Sequence, residues 1–301
     1  MSATLSVILP VYNAQRYIAA AVESILNQTY GDFELIIIND GSTDHTLGIL
    51  EQYARKDGRI NLISRPNTGY VVALNEGIDL ARGQFIARMD ADDISLPERF
   101  EKQLAFLRDN PGHVLVGSAV AQMDASGMVI GPMADVCFGH AAIDYALLRR
   151  GWPVVHPAVM MRTEAVRKVG KYRPDYCPNE DHDLFLKLAE VGRLDNVPEL
   201  LLHYRKHEQS QSFQKMETTI VIMSRIIIEA CKRRGVPVPP EAAQPDRRPP
   251  AKKVDVQRNW AWNAVKHKNI ATARKYALVT LLRRPLSSDA WRLTYCALRG
   301  G

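Results

Sequence analysis

At 301 residues, 46% of them apolar and 24% charged, the chain is long enough for one large α/β domain with an appendage or for two small domains. No apolar run approaches the roughly 18 residues a membrane-spanning helix needs. The N-terminus enters a strand pattern without a leader, and the four scattered cysteines (Cys137, Cys177, Cys231, Cys296) form no disulfide framework or C-x-x-C zinc pair, so a cytoplasmic protein in a reducing compartment is predicted. The net charge of +6 is uneven: from Lys232 onward 16 Lys and Arg stand against 4 Asp and Glu, and before it 23 stand against 29. A mildly acidic body with a basic tail predicts an anionic partner for the tail.

Residues 5–9 read as a buried strand stopped by Pro10, Val11, Tyr12 and Asn13. Tyr17, Ile18, Ala21, Val22, Ile25 and Leu26 then recur at helical spacing behind Asn13 as N-cap. A second apolar run at 33–38 ends in Asn39, Asp40, Gly41, Ser42, Thr43 and Asp44, followed by a helix to about Lys56. A third strand at 60–63 ends in Arg65, Pro66, Asn67, Thr68 and Gly69, and a helix from Tyr70 closes at Arg82 and Gly83, where glycine suits the C′ position. The fourth strand delivers Arg88, Met89, Asp90, Ala91, Asp92 and Asp93.

Beyond it, Ser95 to Glu98 reads as a capping box opening a helix to about Asn110. Strands at 115–122 and 128–130 flank a turn at Asp124 to Gly127, residues 140–150 are helical, 154–161 are strand-like, and a helix runs from Thr163 to Gly170. Glu180, Asp181, His182 and Asp183 open an amphipathic helix stopped by Gly192. Acids in a first turn suit the helix dipole; a carboxylate held there beside substrate is equally placed to be a general base. A strand from 200 carries His203 and, four residues on, His207, both within reach of a metal in principle. A hydrophobic helix covers 217–231, a proline-rich basic linker 236–253, and helices the rest to 298. In that last region Trp260, Trp262, Tyr276, Leu293 and Trp291 alternate with Lys and Arg, which fits either a contact with anionic lipid headgroups or a small helical appendage with a solvated basic face; no nucleic-acid module accompanies the charge.

Strand and helix alternating at this rhythm predict a doubly wound, mostly parallel sheet covered on both faces, with its ligand at the carboxyl ends of the strands. All four of the first strand ends are polar, so one rim gathers the chemistry. Asp90 and Asp92 are two apart and leave an extended chain on the same face, where two carboxylates repel unless a hard cation such as Mg²⁺ or Mn²⁺ sits between them. There is no G-x-G-x-x-G after the first strand and no Walker A sequence, which excludes a dinucleotide dehydrogenase and a P-loop enzyme.

In the order and spacing of residues 6–13, 38–44, Asn67 to Gly69, Asp90 to Asp93 and Asn179 to Asp181, the chain resembles the family 2 glycosyltransferases of GT-A fold over roughly residues 4–212. The resemblance implies an α/β catalytic domain at 1–235, with a nucleotide-sugar half (1–112) and an acceptor half (113–235), and a C-terminal helical appendage at 254–301 outside the family. It implies an inverting hexosyltransferase-type enzyme using a UDP-sugar donor and a glycan or lipid-linked saccharide acceptor, in cell-surface polysaccharide or glycolipid synthesis. Pro10, Val11 and Tyr12 would flank the base, Asp40 would bind its imide edge, and Asn67 and Gly69 would follow the nucleotide. Arg65 or Arg88 would meet phosphate, Asp90 the ribose or the metal's water shell, and Asp92 a Mn²⁺ or Mg²⁺, with His207 or His203 as a further metal ligand. Asp181 would be the base, beside Glu180. The rivals are a sugar nucleotidyltransferase, whose Gly-rich basic loop after the first strand is missing here, and a non-catalytic membrane-associated assembly partner of the same fold.

Overall fold

The computed structural model describes residues 4–206, 216–243 and 253–300. They fall into two compact units, one of Met1–Ala119, Asp135–Leu202 and Glu217–Asp246, the other of Val120–Ala134, His203–Met216 and Arg247–Gly301.

The first unit is a mixed α/β sheet with helices on both faces, as the sequence predicts. Strands β1 (Leu5–Val11), β2 (Phe33–Asp40), β3 (Ile60–Arg65) and β4 (Phe85–Arg88) alternate with helices α1 (Ile18–Leu26), α2 (Thr46–Lys56) and α3 (Tyr70–Leu80). They pair in parallel in the order β3-β2-β1-β4. The register sets Leu5 against Phe33 and Phe85, and Asp40 against Arg65, so the strand ends rise together at one rim. Side chains alternate across the sheet. Ile8, Ile36, Ile38 and Ile86 meet Leu74 and Ile78 of α3 on one face. Val7, Leu9, Leu35 and Ile37 meet Ile18, Val22 and Ile25 of α1 on the other. Each such buried aliphatic is worth about 1.5–3 kcal/mol, which is why the strands read as continuous apolar runs.

After β4 the direction changes. The remaining elements are β5 (Ile94–Ser95), α4 (Arg99–Asp109), β6 (His113–Asp124), β7 (Val129–Pro132), α5 (His140–Leu147), β8 (Met160–Arg162), α6 (Thr163–Lys168), α7 (Glu180–Leu188), β9 (Arg193–Lys206), α8 (Met216–Arg234) and a turn of helix, α9 (Pro240–Ala243). The sheet continues β4-β8-β6-β9-β5, with β8 antiparallel to both β4 and β6.

Three local expectations are corrected. Asn13 does not cap α1; it adopts a left-handed φ of 48°, and its Oδ1 accepts the Thr43 N–H at 2.8 Å. Ser95 makes no capping box, because its Oγ accepts from Gln28 Nε2 at 3.1 Å and α4 begins only at Arg99. Gly83 is no C′ residue: α3 ends at Leu80, and a Cβ on Gly83 would lie 2.7 Å from the Ser6 nitrogen, so the glycine serves close backbone approach. In each case a partner distant in sequence overrode the local signal. The strand-like run at 154–161 is a 3₁₀ turn (His156–Ala158) before β8.

In the second unit, β7 pairs antiparallel with the end of β6, and helices α10 (Lys253–Lys266), α11 (Ile270–Arg283) and α12 (Ser288–Arg299) pack around Ala261, Ala264, Ala273, Ala277, Ala297 and Leu293. Asp124 is the polar anchor. It accepts from Ser126 and Met128 in its own turn and from Lys275 and Tyr276 Oη of α11. Burial pushes its carboxyl up, but these donors outweigh burial and hold it at about 2.

Candidate active site

The β1 and β2 rim loops zip together through side chains. Besides the Asn13–Thr43 bond, Asn13 N–H donates to Ser42 Oγ at 3.0 Å, Ala14 N–H to Thr46 Oγ1 at 2.8 Å, and His45 N–H to Gln15 Oε1 at 3.0 Å. Gly41, at φ +72°, lets Asn67 approach so closely that a Cβ would sit 2.6 Å from the Asn67 nitrogen. Three of the four predicted strand ends thus form one floor.

On that floor Pro10 and Val11 are buried within β1, while Tyr12 is 52% exposed and Asn67 is also open to solvent. Asp40 is buried and clasps the loop after β3. Its Oδ1 accepts the Thr68 N–H at 2.9 Å and its Oδ2 the Gly69 N–H at 3.0 Å. Arg65 forms an ion pair with Asp40 and donates to Glu76 at 2.6 Å. Gly69 has φ +106°, which explains glycine at that position.

Arg88 is the hub. It is buried at the end of β4 and pairs with both oxygens of Asp90, at 2.8 and 2.5 Å. Its charge is also felt by Glu180, Asp181, His156 and Tyr172. Asp90, Asp92 and Asp93 bring one oxygen each within 4.8 Å of one another, forming the sole such group of metal-ligating types among the described residues. Burial raises the Asp90 carboxyl, Arg88 opposes that, and Asp92 adds to it. Behind the cluster lies Arg99, fully buried, donating to the carbonyls of Arg88 (2.8 Å) and Val159 (3.2 Å) and to Gln103 (3.1 Å). Burial pulls its guanidinium down to about 9, against the attraction of Asp93.

The first turn of α7 divides its acids by direction, since successive residues on a helix point about 100° apart. Asp183 is structural, paired with Arg173 and Lys187. His182 contacts the Leu147 carbonyl through Nε2 at 2.8 Å and meets the Trp152 ring edge to face. Glu180 and Asp181 are left near Arg88 and Asp90. Burial first, then mutual repulsion, pushes Glu180 up to about 8; burial pushes Asp181 up to about 6 although the His182 N–H donates to it at 2.8 Å. Glu180 Oε2 has no hydrogen-bond partner among the described residues.

Beside Asp181 sit two residues that sequence reasoning missed. His156 Nδ1 lies 3.9 Å from Asp181 Oδ2, and its Nε2 lies 2.7 Å from Tyr172 Oη. Both rings are buried. A histidine before a proline in an apolar run was the only available signal for His156; Tyr172 and Arg99 offered none. His203, near the end of β9, is not among the three grouped ligands, and His207 lies outside the described residues.

An all-oxygen donor set suits a hard divalent cation, and paired carboxyls with separated affinities beside a cation suit acid–base work. Comparison with known proteins supplies the family and the fold. The profile described as Glycosyl transferase family 2 matches residues 6–168. EpsE of Bacillus subtilis, which carries a glycosyltransferase name, is 36% identical over 240 residues, 78% of this chain and 84% of its own. The O-antigen biosynthesis glycosyltransferase WbnJ of Escherichia coli is 33% identical over 210 residues, 68% of this chain and 81% of its own. Among solved structures, S. aureus TarS 1-349 in complex with UDP-GlcNAc superposes with a TM-score of 0.60 at 18% identity, covering 99% of this chain and 90% of that one. The mannosyltransferase PcManGT from Pyrobaculum calidifontis, in complex with GDP-Man and Mn²⁺, gives 0.57 at 16%, covering 100% and 85%. At these identities the structural likeness establishes the GT-A fold.

Proposed function

Because the chain belongs to glycosyl transferase family 2, we propose that it is an inverting, metal-dependent enzyme that moves a sugar from UDP to an acceptor hydroxyl in polysaccharide synthesis. One observation carries the reading: a carboxylate cluster at the end of β4 and a carboxyl pair at the start of α7 surround the same buried Arg88. The UDP and UDP-GlcNAc complexes of TarS support a uridine donor, and WbnJ's description as an O-antigen biosynthesis glycosyltransferase supports a glycan acceptor.

In this reading Tyr12, Asn67 and the floor held by Asp40 and Gly69 receive the nucleoside, with Pro10 and Val11 fixing the strand beneath it. Asp92, with Asp93 and Asp90 beside it, would hold Mn²⁺ or Mg²⁺, which when bound supplies positive charge for the departing diphosphate. Arg88 already engages Asp90 and sets its orientation, and Arg65 keeps the loop after β3 in place. Asp181, ionised above about pH 6, takes the acceptor proton as its oxygen attacks the anomeric carbon; the bond to the phosphate oxygen breaks and its electron pair leaves with UDP. Base and leaving group on opposite sides give inversion. Glu180, protonated near neutrality, donates a hydrogen bond to a sugar hydroxyl. Catalysis belongs to residues 1–235, and residues 254–301 make peripheral contact with an anionic membrane on the cytoplasmic side.

The test is calorimetric titration of UDP with Mn²⁺ and with EDTA, for the wild type and Asp92→Ala. Micromolar binding that needs both the metal and Asp92 is expected. No UDP binding in either condition would overturn the uridine assignment and direct the same titration to GDP and TDP.

A further inference from the structure

The mechanism above leaves two buried polar side chains next to the base without a task. His156 and Tyr172 are each at least nine-tenths buried, and Tyr172 is pinned in place from its backbone: its N–H donates to Asn75 Oδ1 at 3.1 Å and its carbonyl accepts from Asn75 Nδ2 at 2.8 Å. The imidazole is wedged between the Tyr172 and Phe185 rings, with centroids 5.4 and 5.9 Å away. Two ring nitrogens face two oxygens: Nε2 faces Tyr172 Oη at 2.7 Å and Nδ1 faces Asp181 Oδ2 at 3.9 Å.

A neutral imidazole carries one N–H, and the surroundings select which. If the proton were on Nε2, the Tyr172 hydroxyl would have to accept, its own proton would lack a partner among its recorded bonds, and the Nδ1 lone pair would face a carboxylate oxygen. With the proton on Nδ1, Tyr172 donates into Nε2 and the N–H dipole points at Asp181. We propose that His156 is a positioning residue for the base: Tyr172 fixes its Nδ1–H tautomer, and that N–H orients Asp181 and holds it ionised until the acceptor proton arrives. The inference rests on the reading of Asp181 as base.

The protonation states agree. Burial, reinforced by Arg88, holds His156 well below the usual histidine range, and burial raises the Tyr172 phenol, so the first is neutral and the second keeps the proton it donates. The other charged groups facing Asp181 are Arg88 at the end of β4, Asp90 in the loop after it and Glu180 on its own helix. The first favours the carboxylate, Asp90 opposes it, and Glu180 and Asp181 disfavour each other's charge. His156 adds a donor facing Asp181 Oδ2. The separation of 3.9 Å exceeds a hydrogen bond, as is common for catalytic contacts before substrate is bound. His156 takes no proton in the cycle: the acceptor proton goes to Asp181 and leaves from there.

The tautomer is read directly. In a nitrogen–proton correlation spectrum of the full chain carrying isotope-labelled histidine, the His156 signal, identified by its loss in His156→Asn, is expected in the Nδ1–H pattern. An Nε2–H pattern or an imidazolium near neutral pH overturns the proposal, with no dependence on finding a substrate. The second measurement is the pH profile of kcat/KM with the UDP-sugar that turns over fastest. His156→Leu should move the rising limb up by about one pH unit and lower kcat with the donor KM unchanged, because loss of a donor to a carboxylate raises its pKa. His156→Asn, which keeps an N–H near the Nδ1 position, should restore most of the limb, and Tyr172→Phe should fall between. An unmoved limb in His156→Leu, with calorimetric UDP affinity intact, overturns the positioning role. Normal turnover in Asp181→Asn instead overturns the base assignment itself, so the two failures are separable.

Discussion

Glu180 shows how a functional site opposes stability at the level of one residue. Its carboxyl rises from 4.5 to about 8 because burial and Asp181 both disfavour its charge. The folded chain therefore binds this proton more tightly than the unfolded chain does. The sign follows from linkage: the stabilisation is complete below pH 4 to 5 and is lost as pH rises through about 8. Glu180→Gln keeps the shape and removes the titration. In EDTA, where no cation offsets the acids, the variant should match the wild type near pH 5 and exceed it at pH 9 by a few kcal/mol at most, on the order of one to two pKa units of linkage. Thermal melts at the two pH values check this; a stability gain equal at both would show that Glu180 is not the titrating group. The same substitution should lower transfer activity, since it replaces the donating carboxyl O–H by an amide at an oxygen, Glu180 Oε2, that is buried without a partner among the described residues and is reserved for ligand.

At the level of elements, the strands, the helices between them and the rim chemistry were legible because each is encoded locally, by apolar runs of strand length and by carboxylates, prolines and glycines where the runs stop. Asp90, Asp92, Glu180 and Asp181 could be named as candidates from their places after a strand and at a helix start together with the family resemblance. Parallel topology brings the end of β4 to the rim, whereas the α7 carboxyls come later in the chain, after the antiparallel β8. What was not legible depended on contacts between distant segments. Arg99 in the first turn of a helix has the sequence pattern of a solvated residue, yet it is fully buried because two carbonyls and Gln103 receive it. His156 and Tyr172 are 16 residues apart and become partners only once the intervening β8 and α6 are placed. Two glycines separate packing from site geometry. An alanine Cβ at Gly83 would meet the backbone of Ser6 and Leu5, and at Gly41, with φ +72°, it would meet Asn67. Gly83→Ala should cost about 1–3 kcal/mol in denaturant unfolding with UDP affinity of the folded protein preserved. Gly41→Ala should cost a similar amount and weaken UDP binding at least tenfold, because it pushes apart the loops that form the floor. Equal UDP affinity in the two variants would show that the floor is not the nucleoside site.

For the whole molecule, the open question is what the C-terminal unit adds to a complete GT-A sheet. The sequence pattern of aromatic and basic residues overstated its surface: Tyr276 and Leu293 are buried, and Trp260 and Trp262 are half-buried against the same alanine-rich core. The apolar side chains that do face solvent are others. Leu278 and Leu282 lie one turn apart on α11, Leu286 is fully exposed in the following loop, and Trp291, Tyr295 and Leu298 follow at helical spacing on α12. Arg274 reaches from α11 to the Leu298 carbonyl, which ties the two stripes into one helical hairpin, and Arg283, Arg292 and Arg299 stand beside them. Leu282 at 72% and Trp291 at 59% exposure are costly in water and suited to an interface, while no helix among the described residues is long and apolar enough to cross a membrane. The docking on an anionic bilayer proposed above would draw on apolar insertion of this face and on roughly 1 kcal/mol from each nearby Arg. In co-sedimentation, the full chain should bind vesicles of phosphatidylglycerol and phosphatidylcholine, bind pure phosphatidylcholine far less, and dissociate as salt rises. Leu282→Glu with Trp291→Glu should reduce binding at least tenfold with UDP affinity unchanged. Retained vesicle binding in that double variant would place the contact elsewhere, and self-association of the wild type that the variant abolishes would assign the face to a second copy of the chain.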